Sequence, residues 1–144
     1  MNSLKPPDEE YENRVRLSFA RQQAMHLIGA RLVQVEPGAV AVAIAFRQDL
    51  TQQNGFLHAG IITTIADSAC GYAAYTLMPV GSEVLTVEFK MNLLRPADGD
   101  EFLAEARVLK AGRTLTVARC DVNAHVAGKE PRIIATMLAT LIRR

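Results

Sequence analysis

One short segment of the sequence carries a histidine and an aspartate in an otherwise apolar setting. The segment NGFLHAGIITTIADSACGYAA, residues 54–74, has His58 near its start and Asp67 nine residues further on. This offset does not match the HExxH or His-x-x-x-His spacing of metal sites. No G-x-S-x-G nucleophile motif occurs, and no glycine-rich phosphate loop follows a strand. The pair therefore favours acid–base or acyl-transfer chemistry over a metal or phosphate site.

The periodicity of the segment predicts a helix from His58 to about Tyr75. At about 100° per residue, one broad apolar arc predicts that the helix is largely buried. The arc comprises Ile61, Ile62, Ile65, Ala66, Ala69, Cys70, Tyr72 and Ala73. The remaining stripe is narrow and comprises Gly60, Thr63, Thr64, Asp67, Gly71 and Ala74. Small residues along this stripe would let another backbone or a thin ligand approach closely.

Asp67 and His58 each have a structural interpretation beside a functional one. A partly desolvated aspartate needs a partner, which a neighbouring backbone group, a hydroxyl or water could supply. His58 could cap the helix or pack against a sheet. However, the first-turn N–H groups of Ala59 and Gly60 lack intrahelical partners, and with the helix dipole they could hold an oxyanion. A carboxylate two turns on, from the same chain or another, could activate water, which predicts acyl-transfer hydrolysis.

The rest of the sequence predicts the elements that position this helix. A first helix is expected from about Asp8 to Ile28, with Gly29 ending it. Two strands precede the central helix and about four follow it, joined by turns at 96–100, 111–113 and 127–129. The strand runs are ARLVQVE, AVAVAIAF, VLTVEFKMNLLR, EFLAEARVLK, TLTVARCDVNAHV and PRIIATMLATLI. This order predicts an α+β fold in which an antiparallel sheet packs on one long helix, with the strand order left open.

Composition narrows the class of protein. With 144 residues and a net charge of +1, the chain is predicted to form one domain over 1–144, with a mobile tail at about 1–7. The charge balance argues against nucleic acid as a partner, and no apolar run approaches the ~20 residues of a membrane span. The polar, acidic N-terminal segment does not resemble a signal peptide. These features predict a cytoplasmic protein whose Cys70 and Cys120 are reduced core thiols.

Taken with its flanks, the helix segment resembles a known family. The flanks are GAVAVAIAFRQDLTQ before it and LTVEFKMNLLRPADGD and KAGRTL after it. Together they resemble the PaaI-type acyl-CoA thioesterases of the hotdog-fold superfamily, from about Phe19 to Leu141. The resemblance implies a long central helix wrapped by a curved antiparallel sheet. It also implies a homodimer joined sheet edge to sheet edge, commonly paired again into a tetramer, with active sites at the dimer interface.

The resemblance implies an activity and assigns residues to it. The reaction is hydrolysis of an acyl-CoA thioester to a carboxylate and coenzyme A, with no metal or other cofactor and no nucleic-acid or membrane partner. The family's HGG signature corresponds to His58, Ala59 and Gly60, and the Ala59 N–H would polarise the thioester carbonyl. Asp67 corresponds to the catalytic carboxylate, a general base or nucleophile supplied by the other subunit. Gln52 corresponds to the amide that orients water or the thioester.

Further positions follow from the same resemblance. Asn54 is a weaker candidate for the role of the amide, and Thr86 is expected to hold the attacking water. Arg95, Lys110 and Arg113 are candidates for the phosphates of coenzyme A, although each could be a solvated turn charge. The acyl group is not specified by the sequence, and its pocket or the core could contain Tyr72, Tyr75, Phe56 and Met78.

Two other functions remain open for a chain of this pattern. A hotdog hydratase or dehydratase would require a further acid on the helix, and the sequence offers no well-placed one. A non-catalytic acyl-CoA-binding protein would not need the histidine, aspartate and amide together. The sequence therefore favours a working thioesterase.

Overall fold

The computed structural model describes residues 4–144 of the chain. Within this range a pair of short helices precedes two strands, and a long helix then precedes four more strands. The elements are α1 (Tyr11–Ala20), α2 (Gln23–Ile28), β1 (Arg31–Glu36), β2 (Ala39–Ala45), a 3₁₀ turn (Gln48–Leu50), α3 (Ala59–Tyr75), β3 (Val84–Leu93), β4 (Glu101–Ala111), β5 (Leu115–His125) and β6 (Arg132–Arg143). The predicted α+β class and the predicted central helix are confirmed.

All six strands form one antiparallel sheet in the order β1-β2-β4-β5-β6-β3. β3, the strand that follows α3, therefore lies at one edge of the sheet, beside β6. From there the chain crosses to β4, which lies beside β2. The register shifts at four places, including between Thr86 and Glu88 and between Val108 and Lys110. Such irregularities increase the local twist of a strand, so they help the sheet to curve around α3.

Small residues let the sheet lie close to α3. The inner face of β4, β5 and β6 carries fully or almost fully buried alanines at 104, 106, 118, 124, 135 and 139. The apolar arc of α3 packs against them, and of the residues predicted for it only Ile61 is half-buried rather than buried.

One residue of the predicted small stripe is wrongly placed. Ala74 is fully buried in the core at the C-terminal end of α3. There the buried hydroxyl of Thr76 accepts a hydrogen bond from the Gly38 N–H at 2.8 Å and so connects the helix end to the turn between β1 and β2.

The prediction of one helix from Asp8 to Ile28 is wrong. The chain leaves the helical conformation after α1, and Gln22 has extended backbone angles of φ −76° and ψ 102°. In one straight helix Met25 would lie about 120° away from the core-facing Phe19. The break turns α2 so that Met25 and Ile28 are buried with Phe19. Gly29 ends α2 with φ 72°, as predicted.

The predictions for the N-terminal tail, for the second strand and for a membrane span have different outcomes. Residues 1–3 of the predicted mobile tail lie outside the described range, and residues 4–7 form no helix or strand; their mobility stays a prediction. The predicted second strand is one residue too long, since Phe46 lies beyond β2 and is exposed. Among residues 4–144, no helix is long and apolar enough to cross a membrane.

The two cysteines are buried free thiols, as predicted. Cys70 lies on α3 and Cys120 on the facing strand β5. A hydrogen bond with Cys70 and burial both raise the pKa of the Cys120 thiol, so it stays neutral. The thiols therefore act as small core residues.

The packing of α3 predicts a large energetic contrast between two aliphatic positions. Ile65 is 0% exposed on α3, whereas Leu27 on α2 is 76% exposed. We expect Ile65→Ala to lower the free energy of unfolding by about 2–5 kcal/mol through lost burial and a cavity. The control Leu27→Ala should stay within about 0.5 kcal/mol of the original chain. Urea unfolding at one protein concentration measures both, and equal losses would contradict this description of the core.

Candidate active site

The start of α3 is fixed by His58. Its backbone is extended, with φ −61° and ψ 136°, and its Nδ1 accepts a hydrogen bond from the Gly60 N–H at 2.8 Å. A Cβ at Gly60 would lie only 3.0 Å from this nitrogen, so glycine leaves room for the cap. The His58 N–H donates to the Leu50 carbonyl at 2.9 Å, which anchors the cap to the preceding loop. The structure therefore gives His58 a positioning role.

This cap corrects the sequence analysis in one respect. The N–H groups of both Ala59 and Gly60 were expected to be free, but that of Gly60 is used by His58. The Ala59 N–H has no acceptor among residues 4–144. It is thus the first-turn donor that a ligand could use, at the end of the helix where the dipole favours negative charge.

Ala59 lines a mostly apolar cavity of about 450 Å³. Its walls come from the loop before α3, from the end of β3 and from β6, and they include Gln52, Phe56, Leu94, Arg95 and Ile134. We refer to it as the helix-start cavity. Phe56, one of the candidates for an acyl pocket, lies here.

The loop before α3 holds Gln52 in a fixed orientation. Its backbone N–H donates to the Phe56 carbonyl at 2.9 Å, and its carbonyl accepts from the Gly55 N–H at 3.0 Å. Gly55 has φ 84°, which favours glycine at this turn. The side-chain Oε1 accepts from the Asn54 N–H, so the amide Nε2 of Gln52 is left to face a ligand. Asn54 is exposed and does not line the helix-start cavity, so its backbone orients Gln52.

The second part of the site lies in the middle of α3. Thr86 on β3 donates its hydroxyl to Asp67 Oδ1 at 2.7 Å, which joins the helix to the edge strand. Asp67 is half-buried, and its Oδ2 has no partner in the described part of the chain. Thr86 therefore holds the carboxylate itself, where the sequence analysis expected it to hold water. A water molecule or a substrate could approach the free oxygen.

Two cavities meet at Asp67. The larger, of about 730 Å³, extends towards the C-terminal end of α3 and is lined by Tyr72 and Tyr75. The smaller, of about 490 Å³, extends towards α2 and the exposed ring of Phe89 on β3. The Tyr72 hydroxyl lies 3.1 Å from Ser18 Oγ, and burial raises the pKa of the phenol, so it stays neutral.

For Met78, the last of the four residues that the sequence left open between an acyl pocket and the core, the structure gives the core. It is buried in the core and lines none of these three cavities.

Within one chain, the two parts of the site are far apart. Asp67 is eight residues beyond Ala59 on a continuous helix, which corresponds to about 12 Å along the axis. Asp67 does not line the helix-start cavity, and neither Ala59 nor Gln52 lines the cavities at Asp67. One small group cannot contact the Ala59 N–H and the Asp67 carboxylate of the same chain.

Of the three predicted phosphate-binding residues, only Arg95 lines one of the cavities described above. Arg95 lines the helix-start cavity, where its Nη1 donates to the Ile133 carbonyl at 2.6 Å. Lys110 on β4 and Arg113 in the following turn are exposed, and neither makes an ion pair with another residue in the range 4–144. Their proposed contact with coenzyme A stays a prediction.

The sequence analysis missed one polar pair beside Asp67. Ser68 Oγ donates to the side-chain Oε1 of Gln22 at 3.1 Å. Gln22 lies 46 residues away and was assigned to the interior of a helix, so no local pattern indicated this contact.

The chain is similar to known proteins both in sequence and in fold. Residues 54–125, half of the chain, match the sequence model of the Thioesterase superfamily. A crystal structure of a thioesterase family protein from Silicibacter pomeroyi is 53% identical, with a TM-score of 0.90 over 92% of this chain and 97% of that chain. Human acyl-coenzyme A thioesterase 13 is 28% identical over 99 residues, 68% of this chain and 70% of the human protein.

A more distant structure shares the fold alone. The PaaI protein of E. coli, from the phenylacetic acid degradation operon, is 17% identical, with a TM-score of 0.85 over 99% of this chain and 96% of that chain. The sheet and helix described above are therefore common to both proteins.

Proposed function

Since the chain belongs to the Thioesterase superfamily, we propose that it hydrolyses an acyl-coenzyme A to a carboxylate and free coenzyme A. Family membership and the 53% identical thioesterase family structure make it a thioester hydrolase with the hotdog fold. The similarity to human acyl-coenzyme A thioesterase 13 supports the proposal that the substrate is a thioester of coenzyme A. The observation that carries the mechanism is the separation of the Ala59 donor from the Asp67 carboxylate.

The proposed active site is completed by a second copy of the chain. The edge strand β3 exposes large apolar side chains, with Val87 55% and Leu93 56% exposed in the single chain. A long apolar edge strand invites pairing with another strand, and a large exposed patch marks an interface. Phe89 of this strand also lines the smaller cavity at Asp67. A partner docked along β3 would therefore lie next to the carboxylate.

Twofold symmetry supplies the missing half of each site. In a symmetric dimer each chain contributes the same surface, so the helix start of one subunit can approach the middle of α3 in the other. Each site then combines Asp67 and Thr86 with Ala59 and Gln52 of the partner subunit. We extend the proposal to a dimer of dimers, in keeping with the family pattern.

The chemistry then uses both subunits. Asp67 accepts a proton from a water molecule as the water oxygen attacks the thioester carbon. The carbonyl oxygen becomes negative and accepts a hydrogen bond from the N–H of Ala59 of the partner subunit. The tetrahedral intermediate collapses, the carbon–sulfur bond breaks, and the coenzyme A sulfur takes up the proton held by Asp67. No metal or other cofactor enters this sequence of steps.

Two features of this chain suit those steps. Thr86 occupies one oxygen of Asp67 and so directs the other towards the cavities. The cap formed by His58 removes the competing Gly60 donor and leaves Ala59 as the oxyanion donor.

The remaining contacts of the substrate are also proposals. Arg113 is the best candidate for the phosphates, because it lies in an exposed turn and could reach over the subunit edge, with Lys110 and Arg95 as further candidates. We place the enzyme in the cytoplasm, in keeping with its two cysteines, which are buried free thiols.

Removing the charge of Asp67 should abolish most turnover. Asp67→Asn keeps the size of the side chain and still accepts the Thr86 hydrogen bond, but it cannot take up the proton. We expect kcat to fall by about 10²-fold or more, as for the loss of a positioned base. The matched control Asp121→Asn lies on β5, outside all three cavities of the site, and should stay near full activity.

The assay for this prediction also separates the competing functions. A panel of acyl-CoAs with detection of the released thiol reports hydrolysis directly. Binding of acyl-CoA without thiol release would indicate a non-catalytic binding protein, and addition of water to an enoyl-CoA without thiol release would indicate a hydratase. Activity of Asp67→Asn within a few-fold of the original chain would remove Asp67 from the mechanism.

Removing the Ala59 N–H should be possible without breaking the helix. Proline is tolerated at the first helical position, and the extended ψ of 136° at His58 suits a residue that precedes proline. We expect Ala59→Pro to fold but to lose about 10²-fold in kcat, as for one oxyanion donor. Ala59→Gly keeps the donor and serves as the control, with kcat unchanged or higher. A folded proline variant with normal turnover would show that the carbonyl is held elsewhere.

A further inference from the structure

Gln22 is placed at the break between α1 and α2 in a way that frees its side chain. Its backbone N–H donates to the Phe19 carbonyl at 3.0 Å, and its carbonyl accepts from the Met25 N–H at 3.1 Å. The residue stands at the N-cap of α2, but its side chain makes no capping hydrogen bond. The side chain instead reaches α3, beside the candidate catalytic carboxylate.

The contact with α3 fixes one end of the Gln22 amide. Ser68 Oγ donates to Gln22 Oε1 at 3.1 Å, and Ser68 directly follows Asp67 in the chain. The amide Nε2 has no acceptor in the described range 4–144. Gln22 lines both cavities that meet at Asp67. An oriented amide with unused donors therefore faces the space next to the carboxylate.

The larger of the two cavities is polar along much of its length. Besides Gln22, hydroxyl groups of Ser18, Ser68 and Tyr72 line it, whereas the helix-start cavity is mostly apolar. A plain alkyl chain in this cavity would cover the Nε2 donors of Gln22, which have no acceptor among residues 4–144, without giving them one, and this is unfavourable. A site built to hydrogen-bond a substrate oxygen discriminates against the analogue that lacks it.

We propose that Gln22 is a specificity-determining residue that donates a hydrogen bond from Nε2 to an oxygen on the acyl group. The preferred acyl group then carries a hydroxyl or oxo oxygen a few bonds from the thioester carbon, because Gln22 bonds to the residue next to Asp67. Ser68 acts as a positioning residue, since its hydroxyl holds Oε1 and so directs Nε2 into the cavities. This inference rests on the proposed acyl-CoA hydrolysis and names a substrate class for it.

The test compares matched substrates in matched variants. Initial rates of thiol release are measured for 3-hydroxybutyryl-CoA and butyryl-CoA, with the corresponding hexanoyl and octanoyl pairs alongside. Gln22→Met keeps the length of the side chain and removes both donors. Gln53→Met makes the same change at an exposed loop position outside the three cavities and serves as the control.

We expect the original chain and Gln53→Met to favour the hydroxylated member of the pair. Gln22→Met should lose about tenfold in kcat/KM on the hydroxylated substrate, the upper range for one hydrogen bond, and stay within about twofold on the plain substrate. Ser68→Ala should lose a smaller part of the preference, because the amide is then free to rotate. The melting temperature of each variant reports whether the fold is retained.

Several results would overturn the inference, and they differ from a failure of the proposed function. No release of thiol from any acyl-CoA would overturn both. Hydrolysis in which Gln22→Met and Ser68→Ala keep the original preference would overturn this inference alone. An equal loss on both members of the pair would also overturn it, since Gln22 would then contact the pantetheine common to both substrates or support the chemistry itself.

Discussion

The proposed mechanism depends on the rigidity of one helix. A regular α-helix from Ala59 to Tyr75 fixes the separation between its first N–H donor and its central carboxylate at about 12 Å along the axis. A thioester carbonyl that is polarised by one and attacked by water held by the other must lie within about 3 Å of the donor. Within a chain, Ala59 and Asp67 line separate cavities. We therefore propose that a second subunit supplies the donor, and the exposed apolar edge at β3 gives that subunit a place to bind.

The surrounding structure serves to bury this helix and leave a narrow face open. The alanine-rich inner surface of β4, β5 and β6 lets the curved sheet approach α3 closely, and the resulting core includes both buried thiols. Thr86 then connects the exposed face of the helix to the edge strand through Asp67. In the proposed dimer, the same edge carries the subunit interface and the support of the carboxylate, so that assembly and catalysis would be coupled through β3. The polar Gln22–Ser68 pair lines the same two cavities as the carboxylate.

Much of this arrangement could be predicted from sequence because it rests on local patterns. The helical period of the residues from Ile61 to Ala73 identified the buried helix. Gly29 and the glycines of the predicted turns lie where helices and strands end. Contacts between distant positions were not predictable. The break at Gln22 occurs because Met25 must return to the core, which a continuous helical pattern conceals. The His58 cap left Ala59 as the free donor, a distinction that depends on one side-chain orientation. The exposure of the apolar side chains of Val87, Phe89 and Leu93 was also not predictable, because it depends on the position of β3 at the edge of the sheet.

The most direct test of the central claim is complementation between two inactive variants. Chains carrying Asp67→Asn and chains carrying Ala59→Pro are mixed in equal amounts, and subunit exchange is verified by native mass spectrometry. If each site takes its carboxylate and its donor from different chains, every mixed dimer contains one intact site, and random mixing should restore about a quarter of the original activity. Both substitutions placed in one chain and mixed with the original chain should leave the mixed dimers inactive. Verified exchange without recovery of activity would show that the donor and the carboxylate act from the same chain, and would contradict the account.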